Sequence, residues 1–349
     1  MYDHLYSVFA GGEVEIVIHA DHPTLNREVA AHLAAGDRLD VISTHAKYAP
    51  SQAAWLRPLD ELLDAGALGA LAPRAIDLCR FEGALLCAPR LIDVRVLWIR
   101  RDRVERVPDS WAALVDSGIV FGFPGRESGL FGTFFELVSG LGGRLFDDGL
   151  RPTMATPEAE HAVGTLCALA TRAPADLVDW HYDDVDAALL GGRLDAAAAW
   201  PGGFGAIRSS PLAEHLEPHP YPTGPARRVT YSGCHAWAIP RTCADVDGAA
   251  ALVTRLIGAD AQSLDAAGGN ICAHRAALAA TEPQDDLDRR RLAITREMID
   301  NAMISYPPLA RFPEIEDAGW SAIRAALRGQ CSPADATAAI QAAAVSVLL

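Results

Sequence analysis

The chain has 349 residues, half of them hydrophobic and 21% charged, a globular composition with room for two domains that each bury a core. Its net charge of −15 argues against a nucleic-acid partner, because a phosphate-binding face needs a concentrated basic patch. The longest basic run, Arg289-Arg290-Arg291, lies in the acidic, helix-like stretch Asp285 to Asp300 and reads as a solvated helix face.

The longest uncharged stretches, 196–207 and 336–349, fall short of the ~20 apolar residues a membrane-crossing helix needs. The opening Met1-Tyr-Asp-His has neither the basic start nor the apolar run of a secretory signal. Seven cysteines (79, 87, 167, 234, 243, 272 and 331) show no CxxC spacing and are odd in number. They are expected to be buried thiols rather than a zinc site or a disulfide framework, a pattern that leans towards a reducing compartment.

Strands and helices alternate along the chain, the pattern of parallel sheets covered by helices on both faces. Glu13-Val-Glu-Ile-Val-Ile18 alternates with period two and predicts a strand. A helix follows over His22 to Ala35, stopped by Gly36. Leu39–Ser43 predicts a short strand opening into the polar loop Thr44–Pro50. Leu59–Leu63 reads as a helical turn and Ala84–Ala88 as a strand. Arg90–Asp102, with Val94, Val96 and Trp98 alternating, reads as a further strand flanked by the charged pair Asp93 and Arg95. Next come a helix over Ser110–Asp116, a strand over Ile119–Phe123, the loop Pro124–Gly129 and an apolar helix over Leu130–Leu141. Thr156-Pro157-Glu158 is a capped helix start. Leu194–Trp200 reads as a strand ending in Pro201-Gly-Gly203, Tyr221–Pro225 as a break, and His235–Ile239 as another strand. The rest is mainly helical, and Ser332-Pro-Ala-Asp335 caps the last helix.

Several of these pieces, in this order, resemble the family 1 extracellular solute-binding proteins of bacterial ABC importers, the sugar and polyol type. Ala35-Gly36 with Asp40-Val-Ile42 resembles the family's "aSGdxPDV", and Trp55-Leu-Arg-Pro-Leu-Asp60 its "GxLxPLDD". Phe81-Glu-Gly83 through Pro89 resembles "yxGKxYGLP". Gly142-Gly143 with Phe146-Asp-Asp148 is similar to "GGxxfdddGk", followed by Thr156-Pro-Glu-Ala159. Val185–Arg193 into Ala198-Ala-Trp200 looks like "xxxFxxGkaAMxxxGxW", with Asp186, Gly192 and Trp200 on the pattern. Trp320, Ala325 and the Ser332-capped helix resemble the usual ending.

The resemblance implies an α/β fold of the type II periplasmic-binding-protein kind: two lobes, a hinge of crossing segments and a ligand cleft between them. Arg90–Asp102 and Tyr221–Thr230 then read as crossings, with 1–96 plus 229–280 forming lobe one and 97–228 plus 281–349 lobe two. It also implies a first inner strand and a signal peptide ahead of the first helix. Both are missing against the family pattern, so an N-terminal truncation is expected, with an unpaired gap beside the strand around Val14–Ile18.

Sugars present flat C–H faces and hydroxyl rims, so a sugar site combines aromatic platforms with charged, forked hydrogen-bonding groups. In open α/β sheets these stand beyond the carboxyl ends of strands. The candidates are His45, Lys47 and Tyr48 on the 44–48 loop, Asp93 and Arg95 at the crossing, Arg126 and Glu127 before a helix, Trp200 before Pro-Gly-Gly, Tyr231 with its neighbours Ser232 and His235, and Trp320. Asp93 and Arg95 read equally as hydroxyl ligands or as a structural ion pair; Trp98 and Trp111 are assigned to the core.

No catalytic constellation is present: Cys234 and His235 are neighbours and point to opposite faces of a strand, and HExxH, GxSxG, GxGxxG and a Walker loop are all missing. Asp183-Asp184 with Asp186 lacks the glycine and glutamate of a calcium loop and reads as a helix start. The expectation is a non-catalytic, monomeric binder of a small polar solute, a carbohydrate or polyol, with no cofactor, closing on its hinge. By the resemblance its partner is the membrane permease of an ABC importer and its place is outside the cytoplasm, whereas the chain as it stands would remain inside. The rival is a cytosolic enzyme or ligand sensor on the same fold.

Overall fold

The computed structural model describes residues 5–9, 14–20 and 22–349. The chain forms two units: Met1–Asp93, Gly233–Glu282 and Pro308–Phe312 make unit one, and Val94–Ser232, Pro283–Pro307 and Pro313–Leu349 make unit two. The fold is α/β in both.

Unit one is organised on the strand Thr230–Ala238, whose residues from Gly233 onward belong to it. Ile42–His45 and Ala88–Asp93 both pair antiparallel with this strand. Pro89 stands where the register of Ala88–Asp93 shifts, a place that tolerates a residue without an N–H. The helices Pro73–Leu78 and Val246–Ile257 pack on the same strand. The first long helix, His22–Ala35, stops at Gly36, whose φ of +77° is the left-handed turn a glycine makes without strain.

The strand expected over Glu13–Ile18 is not formed. Residues 14–20 have no regular structure, and Ile16 and Val17 are 45% and 63% exposed. Alternation makes a strand only when one face finds a core, and here neighbouring side chains on opposite faces both meet solvent. The gap expected beside that strand therefore has no strand to flank it. Glu13 itself lies outside the described residues.

Unit two holds a mixed sheet. Val96–Arg100 lies between Ala196–Ala199 and Leu216–His219, antiparallel to both, and Phe121–Gly122 runs parallel beyond Ala196–Ala199. All five residues of Val96–Arg100 are buried, as a strand covered on both faces requires. The four-alanine strand offers little β-propensity of its own. Its small side chains let the helix Tyr182–Leu190 settle close against it.

A second patch of pairing joins Thr230–Ser232 to Met303–Ser305 in parallel. Beside it, the helix Glu127–Gly140 is apolar nearly all round, and every residue from Gly129 to Gly140 is buried. It packs on Pro157–Ala170, which packs in turn on Pro333–Leu348.

The local helix starts follow from their caps. Ser110, Thr156 and Ser332 each accept a hydrogen bond from the third helical N–H, and Ser332 with Asp335 completes a capping box. The basic run behaves differently from its sequence reading. Arg289 pairs with Asp286 and Arg290 with Glu217 on the surface, but Arg291 is buried, forks onto Asp288 and lies 4.2 Å over the Phe204 ring. One arginine of the three therefore turns into the core, because Asp288 one turn earlier answers its charge.

Candidate functional site

The strand Ala196–Ala199 delivers Trp200 into the turn Pro201–Gly203, and the indole is only half-buried there. Two tyrosines meet it nearly at right angles: Tyr182 at 5.8 Å and 77°, and Tyr231 at 5.1 Å and 83° between ring centroids. Their hydroxyls share a 2.5 Å hydrogen bond, and the Arg95 guanidinium lies 5.5 Å over the indole. Burial pushes the Tyr221 and Tyr231 hydroxyls well above the usual phenol range, so both keep their protons at neutral pH. The result is an aromatic wall with a partly open indole at its front.

Arg95 does not stand in the open. It is 1% exposed and ion-paired with Glu136, itself 0% exposed, and Thr133 Oγ1 accepts from it at 3.3 Å. Burial works against its charge, but Glu136 and the surrounding tyrosines outweigh that and hold the guanidinium charged. Its ion-pair partner Glu136 stands 41 residues further along the chain. Asp93 ends its strand opposite Gly233, and its side chain lies outside the described residues.

Arg126 and Glu127 pair with each other, and Arg126 Nε also donates to the Asp179 carbonyl at 2.8 Å. Glu127 begins the long buried helix with φ +54°, a left-handed conformation that costs a non-glycine residue about 1 kcal/mol or more. His181 Nε2 stands 3.5 Å from its carboxylate, and burial lowers the His181 pKa against the pull of Glu127. Gly129 is needed next to it, since a Cβ there would fall 2.5 Å from Pro124 and 3.0 Å from the Tyr182 ring.

Asp186 lies one helical turn after Tyr182, on the same helix face, and Gly203 leaves it room: a Cβ there would meet Asp186 Oδ2 at 2.9 Å. Burial, with Asp183 adding, raises its carboxyl to about 7. Trp320, on Phe312–Leu327, is half-buried; its Nε1 donates to Asp317 at 3.1 Å and Arg324 lies 5.9 Å over its ring.

In unit one the 44–48 loop forms its own group. His45 is buried and meets Tyr48 at 6.2 Å and His235 at 5.1 Å, edge to face in both cases. Lys47 lies 4.8 Å over the Tyr48 ring, and both are half-buried. Gly233 makes the approach of His45 feasible, because a Cβ there would sit 1.8 Å from the imidazole.

Of the candidates, then, Trp200, Tyr231 and Arg95 come together in unit two, and His45, Lys47 and Tyr48 with His235 in unit one. Ser232 is buried in unit two. Sequence reasoning missed Tyr182, Tyr221 and Glu136. Glu136 carried a signal, a lone acid within the apolar run Leu130–Leu141; Tyr182, flanked by His181 and two aspartates, carried none.

A pocket of about 360 Å³ in unit two is lined by Asp176, Asp179, Trp180, Asp184, Ala187 and Arg193 among others. Asp184 and Ala187 lie on the helix face opposite Tyr182, so this acidic dish is separate from the aromatic wall. Among the described residues no His, Cys, Asp and Glu group is arranged to hold a metal ion, and no helix is long and apolar enough to cross a membrane.

No protein-family model matches the chain. Solved structures do. A maltose-bound MalE3 from T. maritima superposes with a TM-score of 0.89 at 23% identity, covering 99% of this chain and 95% of that one. An ABC transporter solute-binding protein from Thermotoga lettingae with bound α-D-tagatose gives 0.83 at 19% identity, over 94% and 90%. The fold is that of the ABC-transporter solute-binding proteins. A third example, from Agrobacterium radiobacter K84 in complex with ribitol, gives 0.82 at 18% identity, again over 94% and 90%. The two-lobe α/β architecture of these binding proteins thus extends over nearly the whole chain.

Proposed function

We propose that this protein is a non-catalytic receptor for a small polar solute, a carbohydrate or polyol, that serves an ABC importer outside the cytoplasm. The observation that carries the reading is Trp200: a half-buried indole held edge to face by Tyr182 and Tyr231 at the end of a sheet strand. An indole so held is a stacking surface for the C–H face of a sugar, with a contribution of about 1 kcal/mol beyond burial. Glu127 and Arg126 supply a forked polar pair in the same unit, His45, Lys47 and Tyr48 a second polar set in the other, and Trp320 a further ring. The likeness in fold to proteins crystallised with maltose, tagatose and ribitol supports the solute class.

Burial keeps the Tyr221 and Tyr231 hydroxyls of the wall protonated, and Glu136 pairs with the Arg95 guanidinium. A thermal-shift screen over neutral sugars, polyols and sugar acids tests the reading. A saturable rise in melting temperature with a neutral sugar or polyol is expected, since a ligand bound only by the native state stabilises it. A flat response across the whole set contradicts it.

A further inference from the structure

Arg95 and Glu136 form an ion pair that neither solvent nor solute reaches, at 1% and 0% exposure. Replacing a buried pair by apolar residues is commonly neutral or stabilising, so stability alone does not explain its presence. What distinguishes this pair is where its bonds go. Glu136 Oε2 accepts from Arg95 Nη2 and from the Tyr221 hydroxyl at 2.8 Å, and Oε1 accepts from the Tyr231 backbone N–H at 2.9 Å. Arg95 N–H donates to Thr230 Oγ1 at 3.1 Å. Arg95 lies two residues after the chain enters unit two, and Tyr231 two residues before it leaves, so one carboxylate holds both passages.

The guanidinium is also the hub of the wall. It lies 5.2 Å over Tyr221, 5.2 Å over Tyr231 and 5.5 Å over Trp200, with its Nε buried and unpartnered. A planar cation stacks on ring faces in a way that a point charge does not. Behind it, Gly132 leaves the space that the Tyr231 ring fills, for a Cβ there would be 2.2 Å from Tyr231 Cε1. With backbone, ring and hydroxyl of Tyr231 all fixed, its contact with Trp200 is fixed as well.

We propose that Arg95 and Glu136 are positioning residues of the solute platform: they set the orientation of Trp200 and Tyr182 without touching solute. This rests on the reading of Trp200 as the stacking residue. It gives the arginine a part in binding that its burial would otherwise deny.

The test compares tryptophan signatures in solute-free protein. The Trp200 component is the near-UV circular dichroism and acrylamide quenching of the parent minus those of Trp200→Phe; the Trp237 component, from unit one, is obtained with Trp237→Phe and serves as control. In the double variant Arg95→Met, Glu136→Leu the Trp200 dichroism is expected to fall by more than half and its quenching to rise at least twofold, with the Trp237 component unchanged. Should that variant not fold, Arg95→Lys carries the same measurement, since it keeps a cation opposite Glu136 and removes the planar group that lies over the rings. An unchanged Trp200 component in the folded variant, or equal losses from both tryptophans, overturns the positioning role. Because no solute is added, that failure concerns positioning alone, whereas an empty solute screen overturns the reading on which it rests.

Discussion

Two arginines five positions apart, Arg90 and Arg95, are both 1% exposed and both paired with a buried carboxylate, yet they do different work. Arg90, at the register shift in unit one, makes a two-pronged fork onto Asp265 at 3.0 and 2.6 Å, and Trp237 lies 5.5 Å away. That fork fastens the helix Ala259–Ala267 to the strand Ala88–Asp93. Arg95 makes one short contact to Glu136, two longer ones to Thr133 Oγ1 at 3.3 Å, and lies over three aromatic rings. The lesson is that an ion pair's role is set by what shares its carboxylate and its plane. One pair holds an element in place, and the other holds side chains at an angle.

The largest expected effect breaks the first pair. Asp265→Ala leaves Arg90 charged and buried, and should cost about 3–5 kcal/mol in urea unfolding. The Trp200 signature should be unaffected. A loss below ~1 kcal/mol would mean that the fork is not holding the helix.

A smaller effect concerns the space behind the second pair. Gly132→Ala places a methyl on the Tyr231 ring, which Glu136 and Tyr182 prevent from moving aside. Overpacking of this kind costs about 1–3 kcal/mol. It should also alter Trp200 emission, whereas Gly233→Ala, which presses on His45 in unit one, should not.

The smallest effect is a pH dependence. Asp186, raised to about 7 by burial and Asp183, keeps a proton in the folded chain that the unfolded chain loses near pH 4. The stability it contributes is present below that point and is lost as pH climbs through 7. Asp186→Asn does not titrate, so it should gain on the parent between pH 4 and pH 8 by on the order of 1–2 kcal/mol, discounted for partial exposure. A stability difference that stays flat over this range contradicts the raised value.

The same contrast between local and distant causes decides what the sequence could reveal. Ser110, Thr156, Ser332 and Gly36 mark their helix ends correctly because each cap acts within four residues. Trp200 stood out because Pro-Gly-Gly follows it. The partner of Arg95 was invisible, since Glu136 is reached only through the packing of a helix 41 positions on. For the same reason Val14–Ile18 misled: its alternation is real, but a strand is defined by its neighbours. Arg291 misled in the opposite sense, since Asp288 and Phe204 bury a residue that composition assigns to the surface.

The central claim is that the aromatic wall binds a neutral polar solute through Trp200. Titration calorimetry with the strongest sugar or polyol of the thermal screen, on the parent and on Trp200→Ala, tests it most directly. The account predicts saturable binding to the parent and affinity at least tenfold weaker in the variant, with the solute-free melting temperature within ~3 °C of the parent. Undiminished binding by Trp200→Ala, or a variant that loses its fold, would contradict it.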